Sequence, residues 1–219
     1  MQNTAEKHAD ALGFSLHEML RKNYAWLLTR MLIKVYAFPK WKGEIKIVTW
    51  PSGIQKFFAY RDFRFFDGSG NLFGVSISTW LLVDIDTRRP VRLEPIFTEI
   101  PVTSSDRALS VNLEKLPQTE NTGFEKKFTV RYSDIDLNGH VNNVSYIEWV
   151  MESIPDELRK SKTVSELEIN FLAETHLGGN IISSCLPDID NAANFRHCVF
   201  RENDRFELAR ARTLWNSGR

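Results

Sequence analysis

Cysteine is nearly absent from the 219 residues, with only Cys185 and Cys198 present. Two thiols cannot build a disulfide framework, so a stapled secreted scaffold drops out and a reducing, cytoplasmic setting is the expectation. Charge of one sign is also missing. Lys+Arg and Asp+Glu each number 28, so no global field draws the chain to nucleic acid or anionic lipid, and only a local basic patch would escape that count. Long apolar runs are missing too. The most apolar stretch, YAWLLTRMLIKVYAF, is interrupted by Arg30 and Lys34 and is too short to span a bilayer. The first residues, MQNTAEKHADALGF, lack the basic start and apolar core of a secretory signal. The 42% hydrophobic content is enough for one large domain or two small ones, each with its own core.

Regular periodicity fades after Asp86. The region up to Gly123 holds Pro90, Pro95, Pro101 and Pro117, and proline disfavours both helix and central strand. Residues 87–123 therefore read as a linker, with a short helix expected near Ser105–Leu113. It separates an N-terminal domain, 1–86, from a C-terminal domain, 124–219. The two halves share a plan. FRFFDGSGNLFGVSISTWLLVD reads strand, turn, strand, and Phe73, Val75, Ile77, Thr79, Leu81, Val83 and Ile85 alternate as on a half-buried strand. FRHCVFRENDRFELARARTLW repeats that plan around REND, and GVSISTW and LARARTLW occupy equivalent places. A helix precedes the strands in each half: TAEKHADALG, closed by Gly13, and NNVSYIEWVMESIP, with Val144, Ile147, Met151 and Ile154 on one face and Pro155 at its end. The second half has an extra strand, KKFTVRYS, before its helix. The fold class is α+β.

Chemistry concentrates in RYSDIDLNGHVNN, Arg131 to Asn143. Strand-like residues precede it and helical ones follow, so it is a strand-to-helix loop. Gly139 suits a tight turn. The first N–H groups of the helix lack intrahelical partners and sit at its positive end, where an oxyanion is stabilised without a charged side chain. Asn142, Asn143 and Ser145 compete as N-cap, and the capping-box form of SYIE favours Ser145. Capping alone would make Asp134 and Asp136 turn acceptors and His140 an ordinary loop histidine. So many carboxylates, amides and an imidazole exceed what capping needs, which favours an active site. Farther on, TVSELEINFLAET alternates as a strand. Glu166, Glu168, Asn170 and Glu174 share one face, and a carboxylate at the strand end is within reach of the loop.

The stretch VRYSDIDLNGHVNNVSYIEWVMESIP closely resembles the central motif of the acyl-acyl carrier protein thioesterases. IVTWPSG, AWLLTRMLIKVYAFPKW and STWLLVDIDTRRPVRL resemble the first domain of that family. The likeness runs from about Ala5 to about Trp215. It implies a double hotdog, two tandem antiparallel sheets each wrapped on a helix. Acyl-chain binding would fall largely to the N-terminal domain, here lacking its first strand, and chemistry to the C-terminal one. The family's catalytic aspartate, asparagine and histidine fall on Asp136, Asn138 and His140, and its glutamate on Glu174. Plant members carry a cysteine just after that glutamate and a transit peptide. Thr175 stands in the cysteine position here, which argues against a cysteine nucleophile, and the lack of a transit peptide suits a bacterial cytoplasmic member.

The implied reaction is attack of water on a thioester, with His140 and Glu174 sharing activation of the water. Asn138 would position water or carbonyl, Asp136 would orient its neighbours, and amides near Val141, Asn142 and Asn143 would hold the oxyanion. No cofactor is expected. A metal on His140, His176 and Asp136 would match no zinc signature. The implied partner is acyl carrier protein, an acidic protein that needs a basic docking face. Arg88 and Arg89, Lys40 and Lys42, and Arg159, Lys160 and Lys162 are the candidates. An acyl-CoA thioesterase and a non-catalytic acyl-binding module are the rivals. Hotdog hydratases space Asp and His differently. A homodimer stays open at this point, as do acyl length and the choice of base between His140 and Glu174.

Overall fold

The computed structural model describes residues 1–97, 106–118, 123–136, 139–188, 191 and 193–217. The chain divides into two units, Met1–Leu113 and Glu114–Arg219.

Unit 1 opens with α1 (Gln2–Ala11) and α2 (Leu16–Arg21) and continues with β1 (Tyr24–Val35), β2 (Ile45–Gln55), β3 (Phe58–Asp67) and β4 (Leu72–Asp84). Its antiparallel strands lie in the order β2-β3-β4-β1. Gly13, at φ +76°, ends the first helical segment as the sequence suggests. Ser15 then starts α2 by accepting from the Glu18 N–H, a helix the periodicity did not reveal. Ala5 of α1 packs on Phe63 and Phe65 of β3, and Met19 of α2 packs on Leu82. Pro51 lies in β2, which ends the strand order, beside a register shift between Pro51 and Gly53. An outer strand tolerates the missing donor there.

The expected half-buried alternation on β4 is not what forms. Every residue from Gly74 to Thr79 is buried, so both faces of this strand are covered. One cover comes from residues read as linker. Leu93 and Phe97 join Met19 and Leu82 in one cluster, and Leu113 joins Leu32 and Ile77 in another. Burying such side chains stabilises by about 1.5–3 kcal/mol each, which outweighs the disorder that proline-rich composition suggests. Among the described residues of the expected helix near Ser105–Leu113, none is helical; this stretch is held by side-chain contacts instead. Arg64 pairs with Asp106 through both guanidinium nitrogens, and Trp50 Nε1 donates to the Asp106 carbonyl at 2.7 Å.

Unit 2 comprises β5 (Phe124–Thr129), a 3₁₀ turn (Tyr132–Asp134), α3 (Asn143–Glu152), α4 (Asp156–Ser161), β6 (Lys162–Phe171), β7 (Asn180–Pro187), β8 (Asn194–Arg201) and β9 (Glu207–Ser217). Its order is β6-β9-β8-β7-β5. Read from β1 and from β6, the two sheets repeat, and GVSISTW and LARARTLW lie on the corresponding strands β4 and β9. β5 extends unit 2 beside β7, as the extra strand before the helix suggests.

Helix α3 turns a different face inward from the one expected. Tyr146, Trp149 and Val150 are buried, whereas Val144 is exposed and Ile147 and Met151 are only partly covered. Ile154, just past the helix, is buried as expected, in a cluster with Cys185, Phe195 and Trp215. Amphipathic spacing identified the helix; the large rings took the interior because their area gains most from leaving water. α3 ends before Pro155, which begins the short α4. No described helix is long and apolar enough to cross a membrane.

Candidate active site

The loop between β5 and α3 is built by its own backbone. Asp134 closes the 3₁₀ turn, its carboxylate accepting from the Arg131 N–H at 2.7 Å and from the Arg131 guanidinium at 3.1 Å. This buried side chain is the turn acceptor its position suggests, and it raises the Arg131 pKa by hydrogen bonding. Ile135 and Val141 then pair as an isolated antiparallel bridge. On either side, Asp136 N–H donates to the His140 carbonyl at 2.8 Å and Asn142 N–H to the Asp134 carbonyl at 2.8 Å. The loop is thus a miniature hairpin whose reversal falls at Gly139, φ +79°, a value that favours glycine. Asp136 Oδ1 accepts the His140 N–H at 3.2 Å, fixing the backbone that carries the imidazole. Leu137 and Asn138 lie outside the described residues.

Helix α3 starts at Asn142, not at Ser145. The Asn142 carboxamide oxygen accepts from the Val144 N–H at 3.0 Å, while Ser145 is buried within the first turn. The capping-box pattern loses because the hairpin already delivers Asn142 in extended conformation, φ −61° and ψ 136°, at the point where the helix begins.

The second arm arrives after β6. Glu166 and Glu168 stay on the strand, where both face Arg212, Glu168 at 2.8 Å. Asn170 is buried and accepts the Leu116 N–H at 2.7 Å. Glu174, past the strand end, reaches the loop. Its Oε1 lies 3.8 Å from His140 Nδ1, with the two side chains 53% and 55% exposed. Tyr146, buried on α3, donates its hydroxyl to the Ala173 carbonyl at 3.3 Å. Sequence reading missed this residue, because a tyrosine on an amphipathic helix carries no mark of a distant backbone partner.

Cys185 and Cys198 are buried unpaired thiols, and burial pushes each up to about 12. His197 is buried and pushed down to about 3 by burial. Thr175 is buried beside Glu174. Among the described residues, no three His, Cys, Asp or Glu side chains group as metal ligands.

Two domain models match in order along the chain. The acyl-ACP thioesterase N-terminal domain covers residues 1–100, and the acyl-ACP thioesterase C-terminal domain covers residues 117–217. The chain belongs to the acyl-ACP thioesterase family. An acyl-ACP thioesterase from Bacteroides thetaiotaomicron is 27% identical, and the match covers 98% of this chain and 86% of that one with a TM-score of 0.81. The 12:0-ACP thioesterase from Umbellularia californica is 24% identical, and the match covers 100% and 87% with a TM-score of 0.82. The fold of this family member is accordingly the double hotdog. A chloroplastic palmitoyl-acyl carrier protein thioesterase from Gossypium hirsutum is 30% identical over 237 residues. The match takes in 98% of this chain but 57% of that protein, so the chain spans little more than half the length of the curated relatives it matches.

Proposed function

We propose that this chain hydrolyses the thioester of a fatty acyl group on acyl carrier protein, with unit 2 supplying the chemistry and unit 1 most of the acyl-chain binding. The observation that carries the reading is the convergence of His140 and Glu174 from two separate segments, half open to solvent. Their 3.8 Å separation exceeds a direct hydrogen bond. In this mechanism one water bridges the two groups at the mouth of the loop. That water attacks the thioester carbon while the pair takes its proton. The tetrahedral intermediate collapses, the C–S bond breaks, and the carrier sulfur leaves with a proton. The products are the free fatty acid and the carrier thiol. Asp136 holds the His140 backbone. Asn138 orients the water or carbonyl through a neutral amide, a role assigned from the family motif.

The developing oxyanion lies against the start of α3. Asn142 N–H is engaged by Asp134, and Val144 N–H by the cap. The donor role therefore falls to Val141 and Asn143, and removal of one such donor typically costs ~10²–10³ in rate. A covalent acyl-enzyme on cysteine is disfavoured, because thiols held near pKa 12 are not thiolates at neutral pH. For an acidic carrier protein, Lys40, Lys42, Arg88, Arg89 and Lys160 are exposed. Arg159 is the weaker candidate, since it pairs with both Glu152 and Asp156. The cytoplasm is the proposed setting.

The test is hydrolysis of acyl-acyl carrier proteins of graded chain length. His140→Ala and Glu174→Ala are each expected to lower kcat by ~10²–10⁴ with acyl binding retained. The double variant should lose far less than the product of the two, since both groups serve one water. Multiplicative loss would remove the shared-water mechanism. Hydrolysis of acyl-CoA in preference to every carrier-bound chain would move the substrate to coenzyme A. Acyl binding with no turnover of either would make the protein a binding module.

A further inference from the structure

We infer that Tyr146 is a positioning residue whose hydroxyl holds the backbone immediately before Glu174 and so sets the reach of Glu174 to His140. The inference rests on the Glu174 and His140 assignment above.

Glu174 sits in an irregular segment that is tied at its two ends. Leu172 and Ala173 N–H both donate to the Leu208 carbonyl, at 2.9 and 3.2 Å. At the other end, Gly178 N–H donates to the Val130 carbonyl and Val130 N–H to the Gly179 carbonyl, each at 2.9 Å. Between these ties lies the carboxylate that must face His140. The Tyr146 hydroxyl donates to the Ala173 carbonyl at 3.3 Å. That carbonyl is the backbone group immediately before Glu174.

The clamp is rigid because Tyr146 is. Its ring is 3% exposed and stands edge-on to Trp149 at 5.1 Å and to Phe171 at 5.9 Å. Burial pushes the phenol up to about 12, so it keeps its proton at neutral pH and serves as a donor, not as acid or base. Tyr146 also stands four residues after the cap Asn142, whose N–H is anchored on the Asp134 carbonyl. One helix therefore fixes the His140 loop at its start and the backbone just before Glu174 one turn later. A core tyrosine kept only for packing could be phenylalanine; the hydroxyl is what reaches the second arm. Displacement of a reacting group by 1 Å costs on the order of 10²-fold in rate.

Tyr146→Phe keeps the ring and removes the clamp. The expected result is a kcat lower by about 10-fold or more, with KM within about twofold. In a Glu174→Gln background the same change should cost less than about twofold, because the group it positions is already disabled. Amide hydrogen exchange gives a readout independent of turnover. The Ala173 amide, on the residue whose carbonyl the hydroxyl holds, should lose protection in Tyr146→Phe, while the Gly178 amide keeps its own. Trp149→Phe loosens the same packing without touching the hydroxyl, and should leave Ala173 protected. An unchanged kcat in Tyr146→Phe beside a crippled Glu174→Gln would overturn the inference, and so would a full effect in the Glu174→Gln background or an equal kcat loss in Trp149→Phe. Full activity of Glu174→Gln would instead remove the base assignment. Exchange at Ala173 would then decide the clamp alone, lost protection supporting it and retained protection overturning it.

Discussion

The two units share a strand order and solve the burial of polar groups in opposite ways. In unit 1 the fully buried Asp62 of β3 gathers a charged cluster. It accepts from Ser52 Oγ at 2.5 Å, Arg107 Nε at 3.1 Å and Ala108 N–H at 2.7 Å. In unit 2 the buried His197 of β8, the corresponding strand, lies in a neutral relay. Trp215 Nε1 donates to Thr213 Oγ1 at 2.9 Å, Thr213 Oγ1 lies 2.9 Å from His197 Nε2, and Ser153 Oγ lies 3.3 Å from Nδ1. Ser153 in turn donates to the Val150 carbonyl at the end of α3. A repeated frame thus fixes where strands lie but not what they bury. The charged solution ties down the 106–108 segment, and the neutral one ties the end of α3 to the sheet. Among the described residues, the strand that runs through a loop into a helix is β5 of unit 2, and His140 and Glu174 meet there.

The comparison breaks most readily at Asp62. Asp62→Ala leaves the Arg107 guanidinium and the Ala108 N–H without their acceptor, and breaking a buried charged pair costs about 3–5 kcal/mol. Chemical denaturation should show that loss in unit 1, with the 106–108 segment opened to protease. A loss below about 1 kcal/mol would mean the cluster does not hold the segment.

Acid should expose the neutral solution of unit 2. His197 titrates near 3 when folded and near the ordinary 6.5 when unfolded. Below pH 6.5 the unfolded chain therefore binds a proton that the folded chain refuses, and stability falls as pH drops toward 3. Between pH 7 and pH 5 this amounts to about 2 kcal/mol. Thermal unfolding of His197→Gln should lack that slope, whereas Asp62→Ala should keep it. If His197→Gln follows the parent across this range, another group is responsible.

The helix starts give the smallest contrast. Asn142 caps α3 with its side chain, whereas Met1 at the start of α1 makes no side-chain cap bond. Asn142→Ala should cost about 1 kcal/mol and deprotect the Val144 amide, seen by denaturation and hydrogen exchange. An unchanged Val144 exchange rate would show that the hairpin alone starts the helix.

Much of this was legible locally. The alternating runs around DGSG and REND became β3–β4 and β8–β9 because period-two patterns and turn residues act within a few positions. Gly13 and Gly139 took positive φ where the turns require it. The motif from Arg131 to Asn143 announced a polar loop before a helix, and its likeness to a known family named the double hotdog. Less legible were the features decided by partners far along the chain. β1, YAWLLTRMLIKV, shows no clean alternation, and its buried residues Leu28, Met31 and Leu32 fall on both faces. Leu93, Phe97 and Leu113 joined the unit 1 core despite their proline-rich setting, because apolar burial outweighs local propensity.

The sequence by itself determined which residues could do chemistry, since residue type and short-range spacing set acidity, hydrogen-bonding capacity and turn formation. It could not determine which of them meet. The 3.8 Å approach of His140 to Glu174, the choice of Asn142 as cap and the hold of Tyr146 on the Ala173 carbonyl beside Glu174 all join residues across loops of different length. Only the packing of α3 against its sheet brings those groups together, because distances between separate segments are set by the tertiary fold and not by spacing along the chain.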